Sequence, residues 1–247
     1  MQNDPLSSER RGNLPNIRAV ILDYGQVLAR SATREEFGRM AKIFDVSFEV
    51  FYTLWEATRD IYDRGDVSPE EYWLKLAAQA NTSIDREQIE TLRRIEVEIW
   101  SNFDRGMLDW ASQLRAKGVK TGLLSNMPND MVIHLRTNCA WMEDFTFKTF
   151  SSEVRVIKPD AAIYEHTLRG LGVSASEALF IDDREVNISA ARTLGIHAIQ
   201  FRSIAQLRDD LEICGFPILP TVMESPSAAT ANSADGSRRE TKFSAYL

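Results

Sequence analysis

Four polar clusters follow short apolar runs in this chain of 247 residues. AVILDYGQVLAR (19–30) delivers Asp23 to the end of an apolar run, VKTGLLSN (119–126) ends in Ser125-Asn126, VRVIKPD (154–160) sets Lys158 before a proline, and EALFIDD (177–183) ends in Asp182-Asp183. Brought to one place, three carboxylates repel one another, and a hard cation such as Mg²⁺, which prefers oxygen ligands, relieves the repulsion. An ammonium balances the negative charge of a phosphoryl group, while a serine hydroxyl and backbone N–H groups hydrogen-bond its oxygens. A carboxylate is also a competent nucleophile toward phosphorus. These residue types therefore suit a metal-assisted phosphoryl site. Each cluster alone has a plainer reading. Asp23 would be a turn residue, Ser125-Asn126 a turn signal, Lys158-Pro159 a helix entry, and Asp182-Asp183 a helix N-terminal cap. Their joint placement favours chemistry.

The elements that would bring them together are legible as pattern. Near-continuous apolar runs at 18–23, 119–126, 145–151, 177–183 and 196–201 predict strands covered on both faces, as in a parallel sheet. Helical patterns at 105–117, 160–171 and 185–194 lie between them, followed by Gly118, Gly172 and Gly195. The alternation predicts a doubly wound α/β domain, and in such sheets ligands sit outside the carboxyl ends of the strands. Residues 33–104 are helical throughout. Phe37, Met40, Ala41 and Phe44 repeat at helical spacing, and Phe48, Phe51, Tyr52, Trp55 and Tyr62 continue such a face. Capping-box starts recur at Thr33/Glu36, Ser68/Glu71 (with Pro69 first in the helix) and Asp85/Gln88. The expected organisation is a polar tail at 1–16, an α/β core over 17–32 and 105–220, a helical insert at 33–104, and a Ser/Ala/Thr-rich tail at 221–247. Both tails bury too little apolar surface to order.

Composition sets outer bounds. A formal net charge of −7 disfavours a nucleic-acid partner, which wants a basic face. No apolar run approaches the ~20 residues of a membrane helix. The first residues lack the apolar core of a signal peptide, and two cysteines in no metal-like cluster suit a reducing compartment. The expectation is a cytoplasmic protein with a small-molecule partner and an oligomeric state the sequence leaves open.

Asp23, Ser125-Asn126, Lys158-Pro159 and FIDDREVN, in that order and with a helical insert between the first two, resemble the four-motif layout of the haloacid dehalogenase superfamily, phosphatase branch. The resemblance covers about residues 17–213 and implies a Rossmann-like core with a helical cap. It implies that Asp23 is the nucleophile forming an aspartyl-phosphate and that Ser125 and Asn126 hold phosphate. Lys158 would steady both nucleophile and transferring group. The implied Mg²⁺ ligands are Asp23, the Gly25 carbonyl and Asp183, with Asp182 as ligand or supporting acid, and Asn187 matches a polar position one turn further on and is a candidate substrate contact. The implied reaction is Mg²⁺-dependent hydrolysis of a small phosphorylated metabolite, a sugar phosphate being one candidate.

Gly25 departs from the pattern: relatives usually carry an aspartate there that protonates the leaving group and activates water. General acid–base help is worth ~10²–10⁴-fold, so its loss weakens an enzyme without abolishing it. A branch of small-metabolite phosphatases resembles this chain in having Asp-x-Gly-x-Val. Solvent, the substrate's own groups or a cap side chain are the candidate replacements. Arg155 is a second departure, since relatives often have glycine there. Two rivals remain: a metal-independent hydrolytic dehalogenase, against which the Asp182-Asp183 pair argues, and a weakly active ligand- or partner-binding domain. In the insert, Trp55, Tyr62 and Trp73 are expected in the core, residues 85–98 as a solvated helix face, and Arg64, in the turn YDRGDVSPEEYW, as a candidate substrate contact. His134, His166 and His197 show no zinc-like spacing.

Overall fold

The computed structural model describes residues 16–222. Both expected tails fall outside these residues, apart from their inner ends. Five parallel strands form one sheet: β1 (Ala19–Leu22), β2 (Lys120–Ser125), β3 (Phe147–Phe150), β4 (Ala178–Asp182) and β5 (His197–Gln200), in the order β3-β2-β1-β4-β5. The order reverses at β1, which pairs Leu22 with Leu123 on one side and Ile181 on the other. That register brings the ends of β1, β2 and β4 to one rim.

Successive side chains of a strand point to opposite faces, and β1 shows the consequence. Val20 and Leu22 pack with Leu123, Leu179 and Ile181 against α5 (Arg105–Ala116), α6 (Asn129–Asn138) and α10 (Ile204–Ile213). Ala19 and Ile21 pack with Phe180 and Leu124 against α8 (Ala161–Leu171) and α9 (Glu185–Thr193). All four β1 residues are fully buried, which accounts for the unbroken apolar run. Gly118, Gly172 and Gly195 close their helices at φ of 80°, 62° and 80°, the left-handed region that glycine enters without steric cost. The short helix α7 (Ser151–Val154) follows β3 directly.

Four helices are inserted after β1: α1 (Arg34–Ile43), α2 (Phe48–Asp63), α3 (Pro69–Gln79) and α4 (Arg86–Trp100). All three expected capping boxes form. The insert has its own core, built on Phe37, Phe44, Phe51, Tyr62, Tyr72 and Trp73. The chain enters and leaves it side by side, with Ala29 bridging Phe103, the Arg30 N–H donating to the Asn102 carbonyl at 2.7 Å, and the Asp104 N–H to the Leu28 carbonyl at 2.8 Å. Among the described residues no helix is long and apolar enough to cross a membrane.

Candidate active site

The rim assembles around one buried ammonium. Lys158 Nζ lies 2.7 Å from Asp23 Oδ1 and 2.7 Å from Asp182 Oδ2, and donates to the Leu124 carbonyl at 3.2 Å. Asp23 Oδ1 also accepts the Tyr24 N–H at 2.7 Å, while Oδ2 has no hydrogen-bond partner among the described residues. Burial opposes the charge on Lys158, but Asp182 and Asp23 outweigh it and raise its pKa above the ordinary 10.5. Asp23 is pushed well up by burial, with Asp182 and Asp183 adding to the push and Lys158 opposing it. Asp183, one residue beyond β4, is pushed up to about 6 by burial and then by Asp182.

Asp182 sits behind the others, fully buried, with both oxygens engaged. Oδ2 takes Lys158, and Oδ1 takes the Arg184 N–H at 2.9 Å and Asn187 Nδ2 at 2.9 Å. Asn187, expected as a possible substrate contact, lines the cavity but commits its amide to Asp182. Asn126 likewise turns its side chain inward, accepting the Lys158 N–H at 2.8 Å and donating to the Lys158 carbonyl at 3.0 Å. Ser125 ends β2 and lines the cavity, with only a long 3.5 Å contact to the Asn126 carbonyl. Gly25 lines it too, and a Cβ built there would meet only Trp100 Cζ3 at 3.7 Å.

One oxygen atom from each of Asp23, Asp182 and Asp183 lies within 4.8 Å of the others. Three carboxylates face one ammonium in a largely buried place, with the exposed Arg184 the further cation acting on Asp183, so negative charge is in excess when all three are ionised. Hard oxygen donors with that charge fit a divalent cation such as Mg²⁺, so the donor set and the charge agree.

Several residues at the site lie outside the four motifs. Gln26, held at φ 57°, donates Nε2 to Asp183 Oδ2 at 2.7 Å and accepts from Ser31 at 3.0 Å. The insert's wall of the cavity is formed by α2, through Trp55, Glu56, Arg59, Asp60 and Asp63, and by Trp100 at the end of α4. The α2 spacing, a single helix face at 55, 56, 59, 60 and 63, was the available clue. Trp55 packs against the insert's core beside Phe37 and also lines the cavity, whereas Tyr62 and Trp73 lie fully within the core. Glu96 differs from the solvated face expected for 85–98. It is buried, because Arg59 reaches it from α2 while donating Nε to Asp63 at 2.8 Å. Arg64 does not line the cavity and faces Asp66 at 3.5 Å. Arg155 stands at φ 61°, which explains why glycine suits that position, and ties the Gly65 carbonyl and Asp66 of the α2–α3 turn to the core.

A family model for haloacid dehalogenase-like hydrolases matches residues 16–195. The chain belongs to that family. The sesquiterpene phosphatase astK of Aspergillus oryzae is 27% identical over 159 residues, 64% of this chain and 76% of that protein. The first curated relatives vary widely in size: the chain spans from 10% to 76% of their lengths. Among solved structures, the HAD family enzyme bt-2542 of Bacteroides thetaiotaomicron superposes with a TM-score of 0.64 at 23% identity, over 76% of this chain and 94% of that one. An L-2-haloacid dehalogenase from Xanthobacter autotrophicus superposes at 0.58 and 18% identity, over 83% and 85%. At these identities the structural likeness is one of fold. It establishes the haloacid dehalogenase architecture of a parallel α/β core with a helical cap after the first strand.

Proposed function

We propose that the chain is a Mg²⁺-dependent phosphatase of small phosphorylated metabolites, sugar phosphates among the candidates, working through an aspartyl-phosphate on Asp23. The observation that carries this reading is the arrangement around Lys158: a carboxylate with one oxygen committed and one open, at a rim with negative charge in excess. The phosphatase relative supports it, and a bt-2542 structure in complex with magnesium and inorganic phosphate shows those ligands in that protein. Core residues 17–32 and 105–220 would hold the chemistry, and cap residues 33–104 would close over the ester.

Asp23 Oδ2 attacks phosphorus, and the bond from phosphorus to the ester oxygen breaks. Lys158 keeps Asp23 oriented through Oδ1 and meets the negative charge of the transferring group. The Ser125 hydroxyl and the backbone N–H groups after β2 hydrogen-bond the phosphoryl oxygens. Asp182, Asn187 and Asn126 hold Lys158 rather than substrate. Asp23, Asp183 and the Gly25 carbonyl would hold Mg²⁺, which supplies charge neutralisation for nucleophile and phosphoryl group together. Water then attacks phosphorus, the bond to Asp23 breaks, and inorganic phosphate leaves.

The test is hydrolysis of an aryl phosphate and a metabolite-phosphate panel with Mg²⁺ and with chelator, beside Asp23→Asn. Turnover requiring both Mg²⁺ and Asp23 is expected. Silence on every ester, with halide released from 2-haloacids in chelator, would show a dehalogenase instead.

A further inference from the structure

We propose that Asp63, from the cap, is the general acid and base that position 25 lacks. The proposal rests on the phosphatase reading above. Gly25 brings no side chain, so the proton must come from another group in the cavity or from water. Beyond the rim itself, the carboxylates lining the cavity are Glu56, Asp60 and Asp63. Glu56 and Asp60 are exposed, and neither has a basic partner among the described residues. Asp63 is 7% exposed and is held at both ends. Its Oδ1 accepts from Arg59 Nε at 2.8 Å. Its main-chain carbonyl accepts from Ser151 Oγ, which in turn accepts the Met127 N–H at 2.8 Å. Met127 directly follows Ser125-Asn126, so the last turn of α2 is tied to the loop that would grip the phosphoryl group. Asp63 Oδ2 has no hydrogen-bond partner among the described residues, which leaves one oxygen of a fixed carboxyl for the substrate.

The electrostatics agree with the geometry. Arg59 is shared between Asp63 and Glu96, so two buried carboxyls face one guanidinium and one negative charge is in excess. Such a set retains a proton more readily than a simple ion pair. Burial raises the Asp63 pKa against the pull of Arg59, Asp60 adds to the rise, and Lys158 opposes it from across the cavity. The surrounding charged and titratable groups also include Tyr62 of α2, Tyr72 of α3, Glu96 of α4 and Asp130 of α6.

In the first step Asp23 bonds to phosphorus, the bond to the leaving oxygen breaks, and that oxygen takes the Asp63 proton. In the second, Asp63 takes a proton from water as the water oxygen bonds to phosphorus and the bond to Asp23 breaks. Both aspartates return to their starting states.

The decisive experiment compares kcat/KM of the full chain with Mg²⁺ on phenyl phosphate and 4-nitrophenyl phosphate, which differ in how much the leaving oxygen needs a proton. Asp63→Asn should lose ~10²–10⁴-fold on phenyl phosphate and at least about tenfold less on the nitrophenyl ester. The ratio of the two does not depend on how much of the variant is folded. Gly25→Asp placed in the Asp63→Asn chain should restore phenyl phosphate turnover, since a Cβ at 25 meets only Trp100 Cζ3 at 3.7 Å. Asp60→Asn should keep the wild-type ratio. Equal loss on both esters in Asp63→Asn, or no loss on either, overturns the assignment. Wild-type turnover that survives Asp23→Asn, or no wild-type turnover at all, removes the phosphatase reading and this proposal with it.

Discussion

A lysine buried in the core and an arginine largely buried in the cap each stand between two carboxylates. Lys158 lies 2.7 Å from both Asp23 and Asp182, and Arg59 bridges Asp63 and Glu96. The difference lies in what completes each set. At the core rim Asp183 adds a third carboxylate, so negative charge is in excess around a donor set that fits a divalent cation. In the cap one negative charge is in excess, and the proton that balances it is shared by two carboxyls: burial raises the pKa of Asp63 and lifts that of Glu96 to about 7, in each case against Arg59. On the proposed reading the core set takes a metal and a phosphoryl group, and the cap set holds and releases a proton.

Removing the cation separates the two most sharply. Lys158→Met leaves three carboxylates crowded without compensation. It should destabilise the chain by about 3–5 kcal/mol in chelator, with Mg²⁺ recovering part of the loss in denaturant titrations. Arg59→Met should cost less, about 1–3 kcal/mol, because its two carboxyls can neutralise themselves by taking up protons. The cost should be greater at pH 8 than at pH 6, and equal costs at both would contradict a proton-balanced cap.

The pH dependence of Glu96 follows from the sign of its shift. Its folded pKa of about 7 is above the ordinary 4.5, so the unfolded chain ionises first and the stability owed to this group falls as pH rises from about 4.5 to about 7. Above that range the contribution is level. Glu96→Gln should remove this fall, altering the stability difference between pH 5 and pH 8 by about 2–3 kcal/mol. An unchanged profile would place the excess proton elsewhere. The smallest effect belongs to the strap between cap and core. Arg155→Gly relieves a left-handed backbone at φ 61° but drops the ties to Gly65 and Asp66. The two should offset to within about 1 kcal/mol, while hydrogen exchange of residues 64–67 quickens.

The same contrast explains what the sequence discloses. The core triad is legible because each member ends an apolar strand or opens a helix, and strand ends in a parallel sheet must meet at one rim. The cap triad is not. Arg59 and Asp63 are one helical turn apart, but Glu96 comes from α4 and looks like one more charge in DREQIETLRRIEVE until the packing of α2 on α4 buries it. Helix α6 begins at Pro128 without a side-chain cap bond, so no start signal marks it. Gln26 is hidden for another reason: its hydrogen bond to Asp183 joins residues 157 apart in sequence. The commitment of Asn126 and Asn187 to backbone and acid partners also depends on distances that spacing does not encode.

On the proposed mechanism the oxygen left open on Asp23 becomes covalently attached to phosphorus. The most direct measurement is to quench the Mg²⁺-loaded chain during turnover of a ³²P-labelled ester and treat it with hydroxylamine, which cleaves acyl phosphates. Label on the peptide bearing Asp23, released by hydroxylamine and absent from Asp23→Asn, is the predicted result. Turnover with label on no peptide, or label that Asp23→Asn retains, would contradict it.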